Sequence, residues 1–253
     1  MKGSLKWIQH YINEYPYLLN IPINKFLGSE SESTIEWLSP RADDDYSEYR
    51  DQAFLDLLGI SIRLSNVKLK DFWPPRGPQW DALGRVEGNA YFLVEAKANV
   101  SEIISSSKAK STTAKALIKK SLNKTRSYLK LNPHFDLTRG FYQYFNRLAH
   151  LYLLRTLNHI PAYLVFIYFV NDQTNIPTSR EEWNGALRLM SSLLGNNQHK
   201  LSRFIIDIYI DVTKVRKSTP QDLMFFDPES LPFQKEHTCV LLSKLKEETE
   251  LES

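Results

Sequence analysis

"WDALGRVEGNAYFLVEAKA", residues 80–98, decides how the chain is read. Trp80–Val86 and Ala90–Ala98 have the make-up of two strands around Glu87-Gly88-Asn89. The run Tyr91-Phe92-Leu93-Val94 is apolar on both faces, as a buried strand is, and then passes into Glu95 and Lys97. Side chains alternate along a strand, so Glu95 and Lys97 share a face with Leu93 and Tyr91, while Phe92, Val94 and Ala96 point the other way. Asp81 and Glu95 are equidistant from Gly88. A three-residue loop at 87–89, with Gly88 or Asn89 left-handed, sets Asp81 opposite Glu95 on one face. A two-residue loop sends Asp81 to the other face unless a bulge intervenes.

Two facing carboxylates repel, by about 4 kcal/mol at about 4 Å and an effective dielectric of about 20. A divalent cation removes that cost, and hard oxygen ligands suit Mg²⁺, with Mn²⁺ as its substitute. Lys97, one step along the same face, is placed to stabilise an attacking water or charge developing on a phosphorane. Metal-assisted phosphodiester hydrolysis is the chemistry such a set suits.

Asp81 followed by Glu95-Ala96-Lys97 resembles the motif of the PD-(D/E)xK nuclease superfamily. The resemblance covers about residues 43–172 and implies a restriction-endonuclease-like α-β-β-β-α-β core. It implies that Asp81, Glu95 and the carbonyl of Ala96 hold the metal, with Lys97 as catalytic cation. It also implies an acidic residue from the first helix, for which Glu48, in line with Gln52 and Leu55, is the best candidate ahead of Asp51 and Asp56. Trp80 stands where the family has proline, a position that tolerates change. The implied activity is a nuclease, expected to act on DNA. The alternative is a non-catalytic nucleic-acid-binding or interaction protein that retains the nuclease-like fold.

Around this core, residues 4–20 read as an amphipathic helix stopped near Pro16, and 28–45 as a polar loop. Tyr46–Leu58 reads as a helix started by Asp43, Asp44 and Asp45 and ended by Gly59, with Tyr46, Tyr49, Ala53 and Leu57 as its apolar stripe. Gly59–Leu69 reads as a strand, and three prolines make 71–79 irregular. Ala109–Leu131 and Thr138–Asn158 have helical character, and 161–172 is a continuous apolar strand. Arg180–Leu194 is an amphipathic helix ended by Gly195, and 204–212 a half-exposed strand with Asp207 and Asp211 on its outer face. The expected fold is therefore α/β, a mixed central sheet flanked by helices, with the last helix and strand added to the core. The expected divisions are an N-terminal extension at 1–42, a nuclease-like domain at 43–215 with a basic helical insertion at 101–131, and a C-terminal extension at 216–253 that ends in a charged, frayed tail.

On the apolar helix from Thr138, Gln143, Asn146, Arg147 and His150 form one narrow polar stripe, which needs partners if the helix is buried. Gln143 and Arg147 are aimed at the metal site or at substrate phosphates, and His150 serves as a structural donor. Between Ala98 and Lys130, seven lysines and Arg126 face a single acid, Glu102, although the whole chain of 253 residues carries only +3. Lys115, Lys119 and Lys120 are the expected phosphate contacts of that segment. With 42% hydrophobic residues a sizeable core can form and wholesale disorder is excluded. The lone Cys239 excludes an internal disulfide and a cysteine-rich zinc site, and the six histidines show no HExxH spacing. No long apolar run or signal-peptide pattern appears, so no membrane contact and a cytoplasmic location are expected. Nucleic acid is the expected partner, and a homodimer is compatible with the reading.

Overall fold

A computed structural model describes residues 3–28, 34–86, 88, 90–174, 176–195 and 198–214. Two helices come first, α1 (Ser4–Glu14) and α2 (Tyr17–Leu27), with Pro16 capping the second. The single helix expected over 4–20 is therefore two. Strand β1 (Glu36–Ser39) precedes the short helices α3 (Asp51–Leu57) and α4 (Leu69–Phe72). The hairpin β2 (Ala82–Val86) and β3 (Ala90–Lys97) leads to α5 (Thr112–Leu129) and α6 (Tyr142–Leu151), which runs on as a π-helical turn, Tyr152–Leu157. Strand β4 (Ala162–Val170), α7 (Arg180–Leu194) and β5 (Ile205–Asp211) complete the described elements. The chain is a mixed α/β protein, and its described residues up to Thr213 form one compact unit. The C-terminal extension expected at 216–253, with Cys239, lies outside the described residues.

The five strands lie side by side in chain order. β1, β2 and β3 are antiparallel, while β3, β4 and β5 are parallel. Parallel neighbours need crossovers, and these are α5–α6 and then α7. Both crossovers cover one face of the sheet. Tyr144 of α6 stacks on Phe166 at 5.3 Å between centroids, and Trp183 of α7 meets Tyr168 at 4.9 Å. The opposite face receives α1, whose Tyr11 stacks on Phe169 at 5.6 Å, and α2, whose Phe26 meets Tyr163 edge-on. Covered on both faces, β4 is nearly all buried, which is why its sequence is apolar without alternation.

Three expectations fail for identifiable reasons. Gly59–Leu69 is not a strand: it holds a 3-10 turn at Ser61–Arg63, and α4 begins at Leu69. A strand would place Ile60, Ile62 and Leu64 on one face. Ile60 and Leu64 are buried, whereas Ile62 is 92% exposed, so burial recurs every fourth residue instead. The third antiparallel strand is β1, inside the stretch expected to be loop. Trp37 of β1 is buried against Gly84 of β2. The helix expected from Tyr46 also shrinks to Asp51–Leu57, because Asp45 and Tyr46 take left-handed φ angles of 47° and 56°. Its buried residues are Phe54 and Leu55, followed by Leu58, and Tyr46 and Ala53 are exposed.

Candidate functional site

The β2–β3 hairpin sets the geometry. Val86 pairs with Ala90, leaving three residues between them, and Gly88 has the left-handed φ of 73°. Ala82 pairs with Val94, so one step further the register sets Asp81 opposite Glu95. The Asp81 amide donates to the Val94 carbonyl at 3.2 Å. Its carboxylate Oδ2 accepts from the Ala96 amide at 2.7 Å, carrying the ladder one bond past the end of β2. The amide and carbonyl of a strand residue point to the same edge, so the Ala96 carbonyl lies on the Asp81 side of β3. Glu95 is only 2% exposed and lies on the face covered by α6.

Arg147 of α6 is buried and reaches Glu95. Its Nε donates to Glu95 Oε2 at 2.6 Å, and its Nη2 contacts the same oxygen and donates to the Gln79 carbonyl at 2.7 Å. Nη1 donates to Asn146 Oδ1 at 3.0 Å, and the guanidinium lies 4.7 Å from the Trp80 ring centroid. Lys97 Nζ pairs with the other oxygen of Glu95. Glu48 lies before α3 and not on it, yet its half-buried carboxylate accepts from Gln79 Nε2 at 2.8 Å, which ties it to the same cluster. The structure thus brings together Asp81, Glu95, Lys97, Arg147 and Glu48.

Four of these groups, Asp81, Glu95, Lys97 and Glu48, are shifted by this crowding. Burial pushes the Asp81 carboxyl up to about 7, and the neighbouring Glu95 adds to the effect against Lys97, the Ala96 amide and Arg147. For Glu95 burial also works upward, but Arg147 and Lys97 outweigh it and hold the carboxyl below its ordinary value. Burial disfavours the Lys97 ammonium, but Glu95 and Asp81 more than restore it, so its pKa rises. Glu48 is raised, first by burial and then by Glu95, against the hydrogen bond from Gln79. Two cations therefore face three carboxylates, and both pair with Glu95, while Asp81 accepts from the Ala96 amide and Glu48 from Gln79.

No family model, curated protein or solved structure matches the chain. Among the described residues, no group of three or more His, Cys, Asp or Glu side chains is placed to hold a metal ion. A smaller oxygen set does exist: Asp81, Glu95 and the Ala96 carbonyl. Its electrostatics fit a cation, because burial and then the neighbouring Glu95 drive Asp81 toward protonation, and a bound cation would oppose both. Against this, both Glu95 oxygens already hold cationic partners, so a metal must share one of them.

The remaining expected residues separate into near and far. Half-buried Gln143 lines the crevice beside Glu95 and Lys97, with Tyr144 and Tyr168. Lys115, Lys119 and Lys120 stand exposed on α5, outside this cluster. His150 is buried among Phe54, Trp73 and Trp80, its Nδ1 paired with the Asn146 carbonyl oxygen at 2.7 Å. Burial lowers its pKa to about 4, which suits a neutral structural donor.

Two contributors escaped the sequence reading, and a third residue, Asp207, is placed otherwise than expected. Gln79 joins Glu48 to Arg147, and its only signal was adjacency to Trp80-Asp81. Glu102 is raised, chiefly by burial, is opposed by nearby Lys97, and accepts from Ser4 Oγ at 3.2 Å. As the single acid in a basic stretch it was visible. Asp207 is half-buried, not on an exposed face. On β5 it pairs with Phe166 of the neighbouring β4, and burial raises its carboxyl to about 6 against a hydrogen bond from Tyr168.

Proposed function

We propose that this chain is a divalent-metal-dependent nuclease that hydrolyses phosphodiester bonds in DNA, with a PD-(D/E)xK site and a restriction-endonuclease-like core in which β1 supplies the third antiparallel strand. The observation that carries the reading is the juxtaposition of Asp81 with Glu95, Ala96 and Lys97 at the carboxyl end of β3. Asp81, one Glu95 oxygen and the Ala96 carbonyl would hold Mg²⁺, or Mn²⁺ in its place. Such an ion supplies a water acidified toward neutrality and charge neutralisation at a phosphate oxygen.

The protein's own groups do the rest. Arg147 fixes the Glu95 carboxylate by contact with one of its oxygens, while a hydrogen bond to Gln79 and packing on Trp80 prevent the guanidinium from drifting. Lys97 is the mobile cation: released from Glu95, its Nζ stabilises charge on the phosphorane-like transition state. In the metal-free site burial holds the Asp81 carboxyl up at about 7, so binding of the ion would expel its proton. Glu48 adds a carboxylate on the Gln79 side. Gln143 borders the crevice, and Lys115, Lys119 and Lys120 offer cations to the flanking phosphates.

One observation favours a second reading, a nucleic-acid-binding protein with an idle site: both Glu95 oxygens are already neutralised. Incubation of single- and double-stranded DNA with Mg²⁺ or Mn²⁺ separates the two. The nuclease reading expects cleavage that disappears in Asp81→Ala and Glu95→Ala together with metal binding by calorimetry. DNA that is bound but never cut, with no heat of metal binding at millimolar concentration, establishes the idle site instead.

A further inference from the structure

Away from the carboxylate cluster, an open groove of about 810 Å³ lies between α5 and the π-helical turn. Lys120, Asn123, Lys124, Ser127 and Tyr128 enter it from α5 at helical spacings of three and four, so they share one face. Tyr152, the first residue of the π-helical turn, faces them, and its ring lies 5.0 Å from that of Tyr128. Lys200, from the segment before β5, sets its ammonium 4.8 Å from the Tyr128 ring centroid. No carboxylate lines the groove, and among the described residues neither Lys120 nor Lys124 has an acidic partner.

A groove with three ammonium groups at its walls and mouth, an amide, a hydroxyl and a half-buried tyrosine ring takes an anion that carries flat apolar surface. Its volume of about 810 Å³, open to solvent, leaves room for the base and sugar of a nucleotide beside a phosphate. We infer that this groove binds single-stranded nucleic acid, with Lys120, Lys124 and Lys200 on its phosphates and a base on Tyr128 in the position that Lys200 now covers. Duplex would leave the aromatic part of the groove unused, because its bases are already stacked on each other. The inference rests on the proposed function only for the class of ligand. The groove is formed by the C-terminal half of α5 and the residues after α6, whereas the carboxylate cluster is reached from Arg147 within α6.

The test is fluorescence anisotropy of labelled oligodeoxythymidylate and of a duplex of equal length, in EDTA, with the full chain. Lys120→Gln/Lys124→Gln, both exposed and safe for folding, should weaken single-strand binding at least tenfold. The slope of log affinity against log salt should become shallower by about 1.4, or 0.7 per lost phosphate contact. Tyr128→Leu should weaken the single strand and spare the duplex, and Tyr128→Phe should bind as the native chain does, which guards against a folding artefact. Unchanged single-strand affinity in the double lysine variant overturns the inference, as does an equal loss for single strand and duplex. Because binding is read without metal, a groove that binds while the chain cuts nothing leaves this inference standing and removes the nuclease reading. A chain that cuts with no effect of the groove variants removes this inference and leaves the carboxylate chemistry standing, with Lys120 no longer a substrate contact.

Discussion

Asp81 carries a charge that the fold disfavours. Its folded pKa of about 7 lies above the ordinary 3.8, so between those values the folded state binds a proton that the unfolded chain lacks. The contribution of this group to stability therefore falls as pH rises from about 4 to about 7. Asp81→Asn keeps an acceptor for the Ala96 amide and removes the charge. It should raise the stability to urea at pH 8 by up to about 4 kcal/mol, with the gain fading toward pH 4. A pH-independent effect would mean that Asp81 is not electrostatically strained. Glu95 has the opposite sign: held low by Arg147 and Lys97, it contributes stability above its unfolded pKa that is lost as pH falls through the lower folded value. Lys97→Ala separates chemistry from binding. If the proposed nuclease reading holds, the ligands it assigns remain, so calorimetric affinity for Mn²⁺ should persist or rise, while DNA cleavage should drop about 10²–10³-fold, the scale for one preorganised electrostatic group. Cleavage at the native rate would reduce Lys97 to a structural partner of Glu95.

Among the elements, the β1–β2 pair depends on one glycine. A Cβ built on Gly84 would lie 2.9 Å from Cε3 of Trp37 and 3.2 Å from Cγ2 of Ile35, both buried. Gly84→Ala should therefore cost about 1–3 kcal/mol in urea unfolding, with the denaturant slope unchanged. A native-like midpoint would show that Trp37 is free to move aside. The same contact explains what could be read from sequence. Helix α7 was legible to its last residue because its stop signal is local: Gly195 follows with φ 69°, while Ser179 and Glu182 cap each other at the start. Strands β3 and β4 were legible because coverage on both faces leaves an unbroken apolar run. Strand β1 was not, since four residues carry no period and the reason Trp37 is buried lies 47 positions away. At the site, Asp81 and Glu95 could be paired by counting from Gly88, and the polar stripe of α6 could be noticed. That Arg147 takes Glu95, 52 residues before it, depends on how a helix docks on a sheet, which no local pattern encodes.

For the whole molecule, position in the sheet matters as much as residue type. The cluster lies at the carboxyl end of β3, where the antiparallel and parallel halves of the sheet meet, and carboxyl ends of parallel strands are where α/β folds present ligand sites. No described helix is long and apolar enough to cross a membrane. A metal bound between Asp81 and Glu95 would join β2 to β3 and bind only the folded chain. Mg²⁺ at about 100 times its Kd should then add about 2.7 kcal/mol and raise Tm, with no rise in Asp81→Ala. An unmoved Tm in millimolar Mg²⁺ and Mn²⁺ would remove the metal from the proposal.

The hydrogen bond from the Ala96 amide to Asp81 also makes the site observable by spectroscopy. An amide proton that points at a carboxylate shifts in frequency when that carboxylate is protonated or captured. The Ala96 resonance in a ¹⁵N-labelled sample should thus titrate with a midpoint near pH 7, and should leave its apo position as a divalent ion is added. One backbone signal would then report the occupancy of the site without any substrate present, including in variants that have lost all turnover.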